Sequence, residues 1–251
     1  MPTLAVDSMQ VYRELPMITN QARRRPAELV GIVSVTEEWT VARHRARAEE
    51  IIASEAAFVL DAGTGMYLNA ILLDLHLAPK VSPSLRRTAQ EATANDPNPR
   101  RAARTKELEL AGAGDRGSIW EGDLRYDTSI VYLRPERHVV DAAIDERSRR
   151  ITLEGLHEAG RLREMAASGE RISPQVMDSV GVRELSGHLS GTLSLQQAQD
   201  LISTRTRRLA RRQMRWFDKL VRTLEGRVRI TVVQSPKDHR YLHNMHDIIG
   251  I

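Results

Sequence analysis

Two short apolar runs, Thr3-Leu4-Ala5-Val6 and Ala57-Phe58-Val59-Leu60, each stop at an aspartate, Asp7 and Asp61. Short apolar runs bounded by polar turns read as fully buried strands. Between them, Glu37 to Ile52 reads as a helix, and Gly63-Thr64-Gly65 leads the second run into another helical stretch, Met66 to Leu75. Parallel neighbours need a crossover, so this succession is the rhythm of a parallel α/β sheet. Functional groups of such a sheet gather beyond the carboxyl ends of its strands. Asp7 and the Gly63-Thr64-Gly65 turn fall there.

The rest of the chain extends this plan. From Pro79 to Pro99 the sequence is polar and broken by prolines around one short helix. Arg100 to Leu110 reads as a helix, Gly112 to Gly122 as a loop and Ser129 to Leu133 as a strand. Helical patterns fill Val139 to Ala167 and Leu195 to Leu224, and Val228 to Val233 reads as a late strand. Three parts follow: an α/β core over 1–78, a helical insertion over 79–99, and the remainder of the core over 100–251 with an arginine-rich helix near its end.

Composition excludes several chemistries. The 251 residues contain no cysteine, so a disulfide scaffold, a thiolate zinc site and a cysteine nucleophile are all ruled out. No Gly-x-x-x-x-Gly-Lys-[Ser/Thr] loop occurs in the sequence. No apolar run reaches the length of a membrane span. His239, His243 and His246 are spaced as ligands on a helix, but a polar terminal segment explains them as well, and no metal site is assigned.

Three constellations carry chemistry. In Asp7-Ser8-Met9-Gln10, a carboxylate at a strand end can accept a proton, while Ser8 and Gln10 can hydrogen-bond a planar ligand; Asp7 could equally cap the following segment. In Asp61-Ala62-Gly63-Thr64-Gly65, two glycines let backbone N–H groups and the Thr64 hydroxyl approach an anion, although an ordinary strand-to-helix turn has the same pattern. Third, six arginines crowd one helix: Arg207, Arg208, Arg211 and Arg215 lie opposite a stripe of Ile202, Leu209, Gln213, Trp216 and Leu220, while Arg205 and Arg212 flank that stripe. Such a concentration of like charge favours contact with a phosphate backbone. Arg100, Arg101 and Arg104 form a smaller set at similar spacing.

In this order, Asp7-Ser8-Met9-Gln10-Val11-Tyr12-Arg13, Gly63-Thr64-Gly65-Met66-Tyr67 and Thr204 to Phe217 resemble the signature segments of the bacterial tRNA dimethylallyltransferase family. Val35 to Arg43, Asn95-Asp96-Pro97 through Arg104, Ile144-Asp145-Glu146-Arg147 and Val180 to Glu184 resemble further family segments, so the likeness covers nearly the whole chain. The resemblance implies a P-loop-NTPase-like parallel sheet flanked by helices, with the first strand and phosphate loop missing and the helical insertion shortened. It implies transfer of a dimethylallyl group from dimethylallyl diphosphate to the exocyclic amine of the adenosine 3′ of the anticodon.

The same resemblance assigns roles. Asp7 would be the general base, with Ser8, Met9 and Gln10 around the extruded acceptor base. Thr64 and Arg147 would hydrogen-bond the diphosphate, bridged by Mg²⁺. Arg100, Arg101, Arg104, Arg205, Arg208 and Arg212 would grip tRNA phosphates. A cytoplasmic monomer without membrane attachment is expected. The chain departs from the family at Asp61 and Ala62, where Val and Gly are usual, and at Val182 in place of Tyr. A non-catalytic relative that only binds tRNA is the alternative; a relative that prenylates free adenine nucleotides does not call for the arginine helix.

Overall fold

The computed structural model describes residues 1–79, 81–97, 99–113 and 117–234. β1 (Thr3–Val6) leads through a long loop to α1 (Val41–Ile52), β2 (Val59–Ala62) and α2 (Gly65–Leu72). α3 (Pro83–Ala92) and α4 (Pro99–Leu110) follow, packed on each other as a hairpin. Then come β3 (Ser129–Leu133), α5 (Arg137–Glu154), α6 (Leu156–Ala167), α7 (Pro174–Met177), α8 (Val182–Leu189), α9 (Leu195–Leu224) and β4 (Arg229–Val233). The tail histidines His239, His243 and His246 lie outside the described residues.

The strands are parallel, as expected, but they form two small sheets instead of one continuous sheet. β1 pairs with β2 from Thr3↔Val59 to Val6↔Ala62, and β3 pairs with β4 from Ser129↔Arg229 to Leu133↔Val233. β2 and β3 have no ladder between them, so each keeps one edge outside its own sheet. Two apolar clusters accompany the sheets. The larger joins Leu4, Val6 and Tyr12 to Ile151, Leu185 and Ile202; the smaller gathers Leu72, Leu73, Leu220 and Leu224, with Leu60, Ile130 and Ile230 against it.

Capping explains where several helices begin. Thr40 accepts the Arg43 N–H, so α1 starts four residues later than its apolar pattern suggests. Ser82 accepts the Leu85 N–H ahead of Pro83. Ser194 and Gln197 form a reciprocal capping box at the head of α9. The helical pattern over Val139–Ala167 is two helices, broken at Gly155. A Cβ there would sit 2.6 Å from the Ile151 carbonyl and 3.0 Å from Ile18, so only glycine lets the α5–α6 junction close on the core. The two short helices α7 and α8 have no counterpart in the sequence reading. Gly181 enters α8 at φ +100, and its N–H donates to Glu184.

Candidate active site

A cavity of about 360 Å³ opens beyond the carboxyl ends of β2 and β3, with α9 along one side. Asp7, Gln10, Arg23, Asp61 and Gly63 line it, opposite Tyr132 and Gln213. Sequence-expected residues meet behind Asp7 across 57 positions, Thr64 and Ser8 themselves not lining the cavity: the Thr64 hydroxyl donates to Asp7 Oδ2 at 3.3 Å and accepts the Ser8 N–H at 3.1 Å.

The Asp7 carboxylate divides its work. Oδ1 accepts the N–H groups of Met9 at 2.7 Å and Gln10 at 3.2 Å, capping the turn that follows β1. Oδ2 faces Thr64 and Gly63. The capping reading of Asp7 holds through Oδ1, and Oδ2 is left to the Thr64 hydroxyl. The turn is braced by Gln175 of α7, which donates to the Ser8 carbonyl at 3.1 Å and reaches the Met9 sulfur at 3.7 Å.

Two of the N–H groups expected to approach an anion are already taken. The Gly63 and Thr64 N–H groups both donate to the Val6 carbonyl, which ties the turn to β1 instead of offering those donors to a ligand. Gly63 makes room for the Asp7 carboxylate: a Cβ would lie 2.6 Å from its Oδ2. Gly65 makes room for α9: a Cβ would lie 2.2 Å from the Trp216 indole. That indole donates to Asn69 at 3.2 Å, and Gln213 donates to the Gly63 carbonyl at 2.6 Å. α9 therefore clamps the turn from outside.

Asp61 is neutralised by a partner that the sequence reading missed. Arg23 pairs with it, and a second guanidinium nitrogen donates to Gln10 Oε1 at 2.6 Å. Gln10 Nε2 in turn donates to the Asn20 carbonyl at 2.9 Å. Burial pushes the Asp61 carboxyl above its usual range, and Arg23 opposes that. The Arg23 side chain is only 9% exposed, and its Nε finds no acceptor among the described residues. The signal was legible in principle: an acid beside a proposed anion site calls for a cation, and Arg23-Arg24-Arg25 lies close after Gln10.

Arg147 of α5 donates to the Ile18 carbonyl at 3.2 Å, and no carboxylate bonds to it among the described residues. Burial lowers its pKa, while the Asp7 charge raises it. Arg147 does not line the cavity itself.

The arginines of α9 separate into two kinds. Arg205 pairs with Glu184 and donates to the Asp178 carbonyl, and Arg207 reaches Asp145 and Asp141 of α5. Arg205 therefore braces α8 and is not free to hold a phosphate, contrary to expectation. Arg208, Arg211, Arg212 and Arg215 are exposed and make no ion pair among the described residues. Leu209, assigned to the buried stripe, is 39% exposed. On α4, Arg104 pairs with Glu107 and donates to the Pro79 carbonyl, while the side chains of Arg100 and Arg101 lie outside the described residues.

Among the described residues, no three histidine, aspartate or glutamate side chains gather as a metal site, and no helix is long and apolar enough to cross a membrane. Residues 10–220 match the model of a family described as IPP transferase. The chain is 60% identical to a tRNA dimethylallyltransferase of Rubrobacter xylanophilus, over 99% of this chain and 87% of that protein. It is 31% identical to a tRNA dimethylallyltransferase 1 of Citrifermentans bemidjiense, over 85% and 79%. Among solved structures, the tRNA isopentenylpyrophosphate transferase of Bacillus halodurans superposes with a TM-score of 0.68 at 23% identity, covering 99% of this chain and 86% of that one. A eukaryotic dimethylallyltransferase described as acting on tRNA gives 0.71 at 20% identity, covering 98% and 71%.

Proposed function

We propose how this chain, which belongs to the IPP transferase family, carries out its reaction, the modification of tRNA by dimethylallyl transfer. The donor is dimethylallyl diphosphate and the acceptor is the exocyclic amine of the adenosine 3′ of the anticodon. The observation that carries the reading is the contact between Thr64 and Asp7, the latter in the cavity wall. One bond forms, from the amine nitrogen to the prenyl C1; one breaks, from C1 to the diphosphate oxygen. The amine proton passes to Asp7 Oδ2, the oxygen not engaged by backbone N–H groups.

Thr64 and Arg147 stabilise the charge that collects on the departing diphosphate. A half-buried guanidinium with a carbonyl as its one bonded partner among the described residues retains donors for an anion. The Thr64 hydroxyl, which accepts one N–H and donates to Asp7, keeps a lone pair by which it would hold magnesium, and the ion would neutralise leaving-group charge. The acceptor base leaves its stack to reach the cavity, since its amine is inaccessible otherwise. Arg208 and Arg212, with Arg211 and Arg215, hold phosphates and set register without reading sequence. The two small sheets are read as parts of one P-loop-NTPase-like core, because α9 touches both: Gln213 bonds Gly63 after β2, and Tyr132 of β3 donates to Asp218 at 2.9 Å. The protein acts as a monomer in this reading.

Asp7→Asn isolates the chemistry. Asparagine keeps an oxygen for the Met9 and Gln10 N–H groups and removes the basic Oδ2. Single-turnover transfer of labelled dimethylallyl to an anticodon stem-loop should fall by roughly 10²–10⁴-fold while RNA binding persists. A near-normal rate in this variant would remove Asp7 from the mechanism.

A further inference from the structure

The wall of the cavity holds a hydrogen-bonded chain that the reaction described above does not use: Asp61, Arg23, Gln10 and the Asn20 carbonyl, in that order. Its chemistry fixes the direction of one group. A guanidinium has five N–H donors and no acceptor, so the Gln10 atom facing Arg23 must be oxygen. A carbonyl only accepts, so the atom facing Asn20 must be the amide nitrogen. Both ends agree, at 2.6 Å and 2.9 Å, and a flipped amide would break both contacts at once.

The anchors themselves are held. Arg23 is buried and paired with Asp61. Asn20 sits at φ +58, a left-handed conformation that asparagine tolerates well. The Gln21 N–H donates to the Pro16 carbonyl at 2.8 Å, and its side chain donates to the Tyr12 carbonyl at 2.7 Å. The Asn20 carbonyl is thus fixed from the residue on its C-terminal side.

One N–H and one oxygen lone pair of Gln10 remain for a ligand. A free carboxamide can present this pair in either order by flipping. The six-position edges of purines differ in that order: adenine offers an amine donor beside a ring-nitrogen acceptor, whereas hypoxanthine and guanine offer a carbonyl acceptor beside a ring N–H donor. A flipping glutamine reads both kinds of edge; a locked one reads one. We propose that Arg23, anchored by Asp61, is a positioning residue that locks the Gln10 amide and so makes the cavity select a 6-aminopurine over a 6-oxopurine. This deepens the functional reading above and rests on it, because it takes Gln10 to face the acceptor base.

The test compares two anticodon stem-loops, identical except for adenosine or inosine at the acceptor position, by fluorescence anisotropy binding. The unaltered chain should prefer adenosine, and in Arg23→Met that preference should shrink about tenfold, as expected for losing a bidentate contact. Arg23→Lys keeps a cation that can only donate and should retain most of the preference. Equal loss of affinity for both stem-loops in Arg23→Met, with the ratio intact, would show a merely structural role and overturn the proposal. Should Arg23→Met fail to fold, Asp61→Asn loosens the same anchor: a reduced ratio supports the lock, and an unchanged ratio overturns it. An unaltered chain that transfers the prenyl group yet binds both stem-loops equally refutes the lock alone. One that neither transfers nor binds refutes the functional reading as well.

Discussion

Arg23 and Asp61, 38 residues apart in the chain, close as an ion pair in the wall of the cavity that holds Asp7. The acid at position 61 therefore adds no net negative charge to that wall. Arg23 arrives on a loop between Asn20 and Glu28 and brings its neutralising charge from outside the strand–turn–helix unit.

Gly65 gives a steric prediction. Gly65→Ala places a methyl group 2.2 Å from the Trp216 ring, and the indole is held by Asn69, so one of them must shift. A loss of about 1–3 kcal/mol is expected in urea denaturation. Gly160→Ala, in the interior of α6 with nothing within 4 Å of the added atom, should instead stabilise by about 0.5–1 kcal/mol. Equal effects at the two positions would contradict the wedge.

The two kinds of arginine on α9 should respond in opposite assays. Arg208→Ala and Arg212→Ala each remove an exposed charge and should lower the slope of log affinity for tRNA against log salt by about 1, with little change in melting. Arg205→Ala leaves Glu184, whose side chain is 4% exposed, without its partner. It should cost about 3 kcal/mol of stability and leave the salt slope unchanged. A reversed pattern would mean that the surface has been misassigned.

His44 sets an acid limit. It is fully buried between Trp39 and Tyr67, its Nδ1 accepts the Trp39 indole N–H at 3.1 Å, and burial lowers its pKa from 6.5 to about 4. Between those values the unfolded chain binds a proton that the folded chain does not. Its contribution is therefore complete above pH 6.5, drains away as pH falls towards 4, and is constant below that. The loss is on the order of 3 kcal/mol. Urea titrations at pH 7 and pH 5 should show a drop in the parent that is much smaller in His44→Phe; the same drop in both would place the acid sensitivity elsewhere.

Much of this was legible in the residues, for physical reasons that differ by element. Ser129–Leu133 and Leu195–Leu224 match the structure residue for residue: one is a short β-branched run, and the other has a strong 3.6-residue period with Ser194 and Gln197 to cap it. The approach of Asp7 to Thr64 followed from placing both at the ends of paired parallel strands. α7 and α8 were hidden because helices of four and eight residues carry too little periodicity to register. The break at Gly155 depends on Ile18, far away in sequence, and no local pattern reports it. Arg23 and Asp61 meet only through tertiary structure. The packing roles of Gly63 and Gly65 were not legible because a turn that admits an anion and a turn that admits a neighbouring side chain need the same missing Cβ.

α9 is a single rod of 30 residues, about 45 Å long. Its outward arginines and the inward pair Gln213 and Trp216 share one backbone within a few turns of each other. A load applied at the exposed arginines thus has a stiff lever to the turn that floors the cavity. What seats on that outer face and the shape of the cavity are mechanically inseparable in this architecture.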